Sequence, residues 1–195
     1  IAVTGCWRIA AGFWLVSAPV IVTQDLGYES TIYSYWTSTF SLIAAVLGLL
    51  LGPVIDKFGA KRMLMAALIA YGLTFLVAGS SVALWTVPVF TLSVAAMEAM
   101  ATQAIFISFI ALHMSICWNK VSATQFAIYM AWANLGRSLG AKIYGSIEPA
   151  LDQGEALLIM GGLAFLGAAI LMLIRLKEHD ERIAIISEAE TATAR

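Results

Sequence analysis

Six apolar runs, each near the length that crosses a bilayer, dominate this chain and leave little choice of architecture. They fall at about 6–23, 32–55, 63–79, 84–113, 123–147 and 156–174. A hydrocarbon core about 30 Å thick takes ~20 helical residues to cross. In lipid every backbone N–H and C=O must find its partner within its own segment, so helices are expected throughout. The third run is short and the fourth long, which tilt or a protruding end accommodates. The pieces between them, Gln24–Ser30, Asp56–Arg62, Gly79–Val82, Met114–Ser122 and Glu148–Glu155, are turn-prone or charged, and none is long enough to separate domains. The expected fold is an all-α membrane protein. One six-helix bundle covers 1–176, and a charged, then alanine-rich cytoplasmic tail covers 177–195.

Composition narrows the function classes. The chain is 61% hydrophobic and 12% charged, against roughly a quarter charged in soluble domains, so its natural partner is the lipid bilayer. A net charge of −1 argues against nucleic acid. Cys6 and Cys117 are too few and too far apart for a disulfide framework or a zinc site and read as inert thiols. No nucleophile–base spacing, metal-ligand cluster or phosphate-binding glycine loop is present. Neither catalytic residues, nor a metal, nor a cofactor are therefore expected. The chain opens on Ile1, directly in an apolar helix, and reads as a fragment or a processed piece.

Basic residues set the expected orientation. Lys57, Lys61, Arg62, Lys120, Arg175, Lys177 and Arg182 fall on one side of the alternating spans. Asp25, Glu29, Glu148, Asp152 and Glu155 fall on the other, with no Lys or Arg in those loops. By the positive-inside rule the first side is cytoplasmic, and both termini with it. Tyr28, Tyr33, Tyr35, Trp36, Trp85 and Tyr144 cluster at the outer boundary, with Trp7 and Trp118 at the inner one, where they read as interfacial anchors.

The segment Gly52-Pro-Val-Ile-Asp56-Lys57-Phe-Gly59-Ala-Lys61-Arg62 joins the second and third runs. Gly52 permits close helix approach, Asp56 is an acceptor at the membrane edge, and Gly59 supplies a turn that a Cβ would hinder. Lys57, Lys61 and Arg62 hold the loop on the cytoplasmic side. The pattern resembles the loop signature of the major facilitator superfamily of secondary transporters. Ser122-Ala-Thr-Gln-Phe-Ala127 with Asn134-Leu-Gly-Arg137-Ser-Leu-Gly140, after Cys117-Trp-Asn-Lys120, resembles the eleventh helix of its AmpG-like branch. That branch holds bacterial muropeptide permeases and relatives linked to acetyl-CoA or siderophore transport. The resemblance implies the carboxy-terminal half of a twelve-helix transporter, lying in a bacterial inner membrane. It implies that an amino-terminal six-helix bundle is the missing partner, and that the gating loop is Gly52, Asp56, Lys57, Gly59, Lys61 and Arg62.

Polar groups inside the runs mark the candidate site. A charge at mid-bilayer costs about 3 kcal/mol on insertion scales, so it normally faces a cavity or a partner. At ~1.5 Å per residue, Glu98 lies ~24 Å from the cytoplasmic end of its span and Gln103 ~16 Å. On the fifth span Asn134 lies ~16 Å, Arg137 ~21 Å and Lys142 ~28 Å from that end. Glu98 thus falls between Arg137 and Lys142 in depth. Asn134 and Arg137, three apart, share one helix face. These five residues read either as a substrate or proton-relay layer or, for Glu98 and Arg137, as an internal ion pair that only neutralises two buried charges. Surplus positive charge on Lys142 favours an anionic solute. Arg8 and His113 lie near the inner boundary and read as an anchor and an interfacial polar residue. Gly48/Gly52 and Gly136/Gly140 form two G-x-x-x-G spacings suited to close helix packing.

The reading is half of a secondary transporter that carries a small polar, anionic solute by alternating access, with Glu98 as the carboxyl for any proton coupling. The alternative is a membrane scaffold of the same fold that moves nothing. The sequence names neither the solute, nor the coupling ion, nor the direction.

Overall fold

The computed structural model describes residues 2–118 and 121–174. Lys120, Arg175, Lys177, Arg182 and the tail expected over 177–195 lie outside the described residues. Within them the chain forms helix α1 (Ala2–Val20), a π-helical turn (Ile21–Asp25), α2 (Ser30–Phe58) and α3 (Ala60–Ser80). A 3₁₀ turn (Val82–Thr86), α4 (Pro88–Ile116), α5 (Ser122–Ile147), a short 3₁₀ piece (Glu148–Ala150) and α6 (Gln153–Leu173) follow.

Local chemistry explains where these helices begin and end. The fourth run was expected to start at residue 84, but its helix starts at Pro88. Proline's ring disfavours helical backbone in the residue before it, and Val87 is extended at φ −90°, ψ 113°. Residues 84–86 wind instead in the 3₁₀ turn, and Val87 is the extended link to α4. The segment 56–62 was expected to be a loop, yet only Gly59 lies outside helix. Its φ of 87° is open to glycine and strained for other residues. That one residue turns α2 into α3 while its N–H still donates to Ile55 O at 2.7 Å. Helix α6 begins three residues before the expected 156. There Asp152 and Glu155 form a capping box that satisfies two otherwise orphaned backbone donors.

Five helical segments are long and apolar enough to cross a membrane: Ala2–Asp25, Ser30–Phe58, Ala60–Ser80, Pro88–Ile116 and Gln153–Leu173. The sixth expected span, α5, has the length, at 26 residues. Asn134, Arg137, Lys142 and several hydroxyls dilute its apolar character. The chain is all-helical among the described residues, with several apolar helices of spanning length.

Packing follows a consistent order. Helix α5 lies on α1, α1 on α6, α6 on α3, α3 on α4, and α4 on α2. The core runs through Trp7, Ala10 and Phe13 of α1, Leu68, Tyr71 and Phe75 of α3, Ile105 and Phe109 of α4, and Leu157, Met160 and Ala164 of α6. Lipid tails are as apolar as these side chains, so close packing rather than water exclusion holds such helices together. Small residues make it close. A Cβ on Gly140 would collide with the Ile9 backbone, and one on Gly12 with the Arg137 carbonyl. Between α3 and α6, a Cβ on Gly161 would stand 3.0 Å from Gly72 O. Of the two G-x-x-x-G pairs, Gly136 and Gly140 both pack on α1. Gly48 packs on Gln103 and Ile107 of α4, whereas nothing lies within 4 Å of a Cβ at Gly52. Helix α2 is the least covered: only Ala44, Gly48 and Ile55 are buried along its 29 residues.

Candidate functional site

A small, largely enclosed cavity of about 60 Å³ opens where α1, α2, α4 and the 3₁₀ turn meet. Helix α2 contributes Tyr33, Trp36, Thr37, Phe40 and Ser41. Of these, Tyr33, Thr37 and Ser41 are spaced by four and so fall on one face. Trp14 comes from α1, Trp85 from the turn, and Thr91 and Glu98 from α4. Glu98 is the sole charged residue of this wall. Its Oε1 accepts a hydrogen bond from Thr102 Oγ1, one turn further along α4, at 2.8 Å. That bond holds the carboxyl on the cavity side of the helix.

The wall is braced from behind. Trp85 Nε1 donates to Ala78 O at 3.0 Å, which ties the 3₁₀ turn to the end of α3. Thr91 Oγ1 donates to Trp85 O at 2.7 Å, fixing the same turn to α4. Trp14 stands edge-on to Phe75 of the core at a centroid distance of 5.1 Å. Trp36 stands edge-on to Tyr28 at 4.9 Å. Three of the five aromatic walls, Trp14, Trp36 and Trp85, are thus set by fixed contacts.

The structure brings only some of the sequence candidates together. Glu98 lies in the cavity. Arg137 is within electrostatic range of it but makes no ion pair with it among the described residues. The internal-pair reading therefore finds no direct contact between the two groups among the described residues. Asn134, Arg137 and Lys142 are all exposed on α5. Lys142 lies five residues beyond Arg137, ~140° further round the helix, and so belongs to a different side. Gln103 does not reach the cavity wall; it lies against Gly48 of α2 and serves the α2–α4 contact.

Four readings of individual residues change. Arg8, read as an anchor at the boundary, is 8% exposed, with its guanidinium 4.2 Å from the Trp7 ring centroid. Its Nε has no hydrogen-bond partner, and Arg137 is the charge nearest in effect. His113, read as interfacial, is buried; its Nδ1 lies 2.8 Å from Phe109 O and its ring 4.6 Å from that of Tyr129 on α5. Tyr33, Trp36 and Trp85, read as boundary anchors, line the cavity instead. Trp14 was not singled out. Spacing could have shown the α2 stripe, since hydroxyls at 33, 37 and 41 repeat at helical period. No sequence signal pairs that stripe with Glu98.

At the other end of the bundle, Asp56 and Lys57 sit exposed in the last turn of α2, and Arg62 is exposed in the first turn of α3. Lys61 Nζ donates to Ile174 O at 2.6 Å, so the 56–62 segment adjoins the end of α6. Asp56 has no hydrogen-bond partner among the described residues.

The sequence model of the Major Facilitator Superfamily matches residues 3–194. No curated protein matches the chain.

Proposed function

The chain belongs to the Major Facilitator Superfamily, a family of membrane transporters, and on that premise we propose that it forms one six-helix half of a secondary transporter working by alternating access. The observation that carries this is the Glu98 cavity: a charged, hydroxyl-bearing and aromatic recess in an apolar chain, with Arg137 near enough to act on Glu98 electrostatically and not in contact with it. Ionisable groups so placed mark solute or proton pathways more often than structure. The solute is small and polar. An anionic group on it would meet Arg137 and Arg8, two guanidiniums with no carboxylate partner among the described residues. Glu98 is the carboxyl that would couple uptake to protons.

A second six-helix bundle completes the pathway in this reading, whether in the same chain or another. Its support is the distribution of exposed polar groups. Asn134, Arg137 and Ser138 on α5, and Thr39 and Ser41 on α2, are uncovered. A lipid-facing position would leave them without partners. The location is a bacterial inner membrane, with both termini cytoplasmic and the carboxy-terminal, AmpG-like half as the nearest resemblance.

Cysteine chemistry tests the proposal in a background without Cys6 and Cys117. Cysteine at Glu29 or Asp152 should react with an impermeant thiol reagent from outside, and cysteine at Lys61 should not. Cysteine at Ser41, on the cavity wall, should react from both sides of the membrane in turn as the carrier cycles. Single-sided reaction at position 41 under every condition would favour a scaffold that moves nothing. Reversed labelling at 29, 152 and 61 would overturn the orientation.

The gating loop makes its own prediction. Asp56 is exposed, unpartnered within its bundle, and stands one residue-turn before the amino terminus of α3. A carboxylate so placed is free to contact the second bundle and stabilise one state. Asp56→Asn should lower uptake at least about fivefold, the smallest effect typical of a state-coupling contact, with insertion unchanged. Full uptake by a correctly inserted variant would remove the gating role.

A further inference from the structure

The chemistry of the cavity wall is uneven, and that unevenness selects a ligand group. Five aromatic residues, Trp14, Tyr33, Trp36, Phe40 and Trp85, surround one carboxyl, Glu98. Several donors that would suit an anion are already engaged. Thr91 Oγ1 donates to Trp85 O, Trp85 Nε1 donates to Ala78 O, and Thr37 Oγ1 donates to Tyr33 O at 3.0 Å. No Lys or Arg lines the space. Thr102 and Trp14 hydrogen-bond Glu98, and Arg137 acts on it only from a distance, so among the described residues no cation contacts the carboxylate.

We infer that this cavity is a cation site, taking the ammonium or methylated ammonium end of a solute against Glu98 and the aromatic walls. Aromatic faces attract such cations through their quadrupoles, most strongly where water is excluded. A space of about 60 Å³ suits a head group rather than a whole large solute. The inference deepens the transport reading and rests on it for the identity of the occupant as cargo. Its geometry adds a positive end to the solute, opposite the anionic group that Arg137 would meet. The solute class is then a small zwitterion or an amine-bearing anion.

The test uses the full chain, purified in detergent, and a matched pair of probes: choline and its uncharged isostere 3,3-dimethylbutan-1-ol. Tryptophan fluorescence reports binding, since three tryptophans line the cavity. Choline should bind at least about tenfold more tightly than the alcohol, and Glu98→Gln should abolish that preference. Trp36→Leu should weaken choline more than the alcohol. Equal affinity for the two probes, or an unchanged preference in Glu98→Gln, would overturn the cation site. Should Glu98→Gln fail to fold, Glu98→Asp withdraws the same charge by about one methylene and should narrow the preference; undiminished preference there would also overturn it. Uptake separates the two claims. A choline preference without uptake of any solute sinks the transport reading and spares the site. Uptake of anions with no choline preference sinks the site and spares transport.

Discussion

Gly140→Val is expected to prevent assembly of the folded bundle. The Cβ it adds would collide with the backbone of Ile9, where no side chain can rotate away. The facing residue Gly12 meets the Arg137 carbonyl in the same way, so α1 and α5 touch backbone to backbone and share the strain. Overpacking a side-chain core costs about 1–3 kcal/mol; a conflict with backbone across the tightest helix pair should exceed the upper figure. Gly145→Ala and Gly162→Ala are the controls, because nothing lies within 4 Å of a Cβ at either position. Thermal unfolding and the monodisperse yield in detergent measure the outcome. A Gly140→Val protein as stable as the Gly145→Ala control would show that the two helices separate without loss.

The contrast between these glycines shows where sequence reading reaches and where it stops. Long apolar runs gave away the helices because backbone satisfaction in lipid admits little else. Their ends were misplaced where one residue decides locally: Pro88 delayed α4, Gly59 confined a seven-residue loop to a single position, and the Asp152–Glu155 box started α6 early. Glu98 was legible as a site because a carboxylate in an apolar run is conspicuous on any helix. Its aromatic surroundings were not: Tyr33, Trp36 and Trp85 lie near span ends, where an interfacial anchor has the same composition, and Trp14 sits mid-helix with no sequence signal for the way it turns. Only the packing of α2 on α4 turns them onto the carboxyl. The surroundings of Gln103 and Arg8 were hidden for the same reason. Depth along a span can be counted from the sequence, but rotation about it cannot. Gln103 lies on the α2-facing side of α4, and Arg8 lies with its stem against Gly136 of α5.

Uptake should be lost in Glu98→Gln and in Arg137→Gln, and the stability loss of the double variant should equal the sum of the two. An internal ion pair would give the opposite pattern, since removing one partner strands the other and the double change relieves it. The structure keeps the two groups within electrostatic range and out of contact, with Glu98 held by Thr102 Oγ1 rather than by Arg137. Stability changes at two such positions with no shared partner should add to within about 0.5 kcal/mol. Activity should not add. If one solute bridges the carboxyl and the guanidinium, either change alone removes an end that the solute needs, and the second change has little left to remove. A loss of at least about a hundredfold in kcat/KM for each single variant would correspond to about 2.7 kcal/mol of lost transition-state binding. Thr102→Val serves as the intermediate case: it frees the carboxyl without removing it, so uptake should fall less than in Glu98→Gln. Stability coupling well beyond 0.5 kcal/mol, with uptake retained in the double variant, would return Glu98 and Arg137 to a purely structural role. Additive stability with uptake abolished in both singles would place them on the path the solute takes.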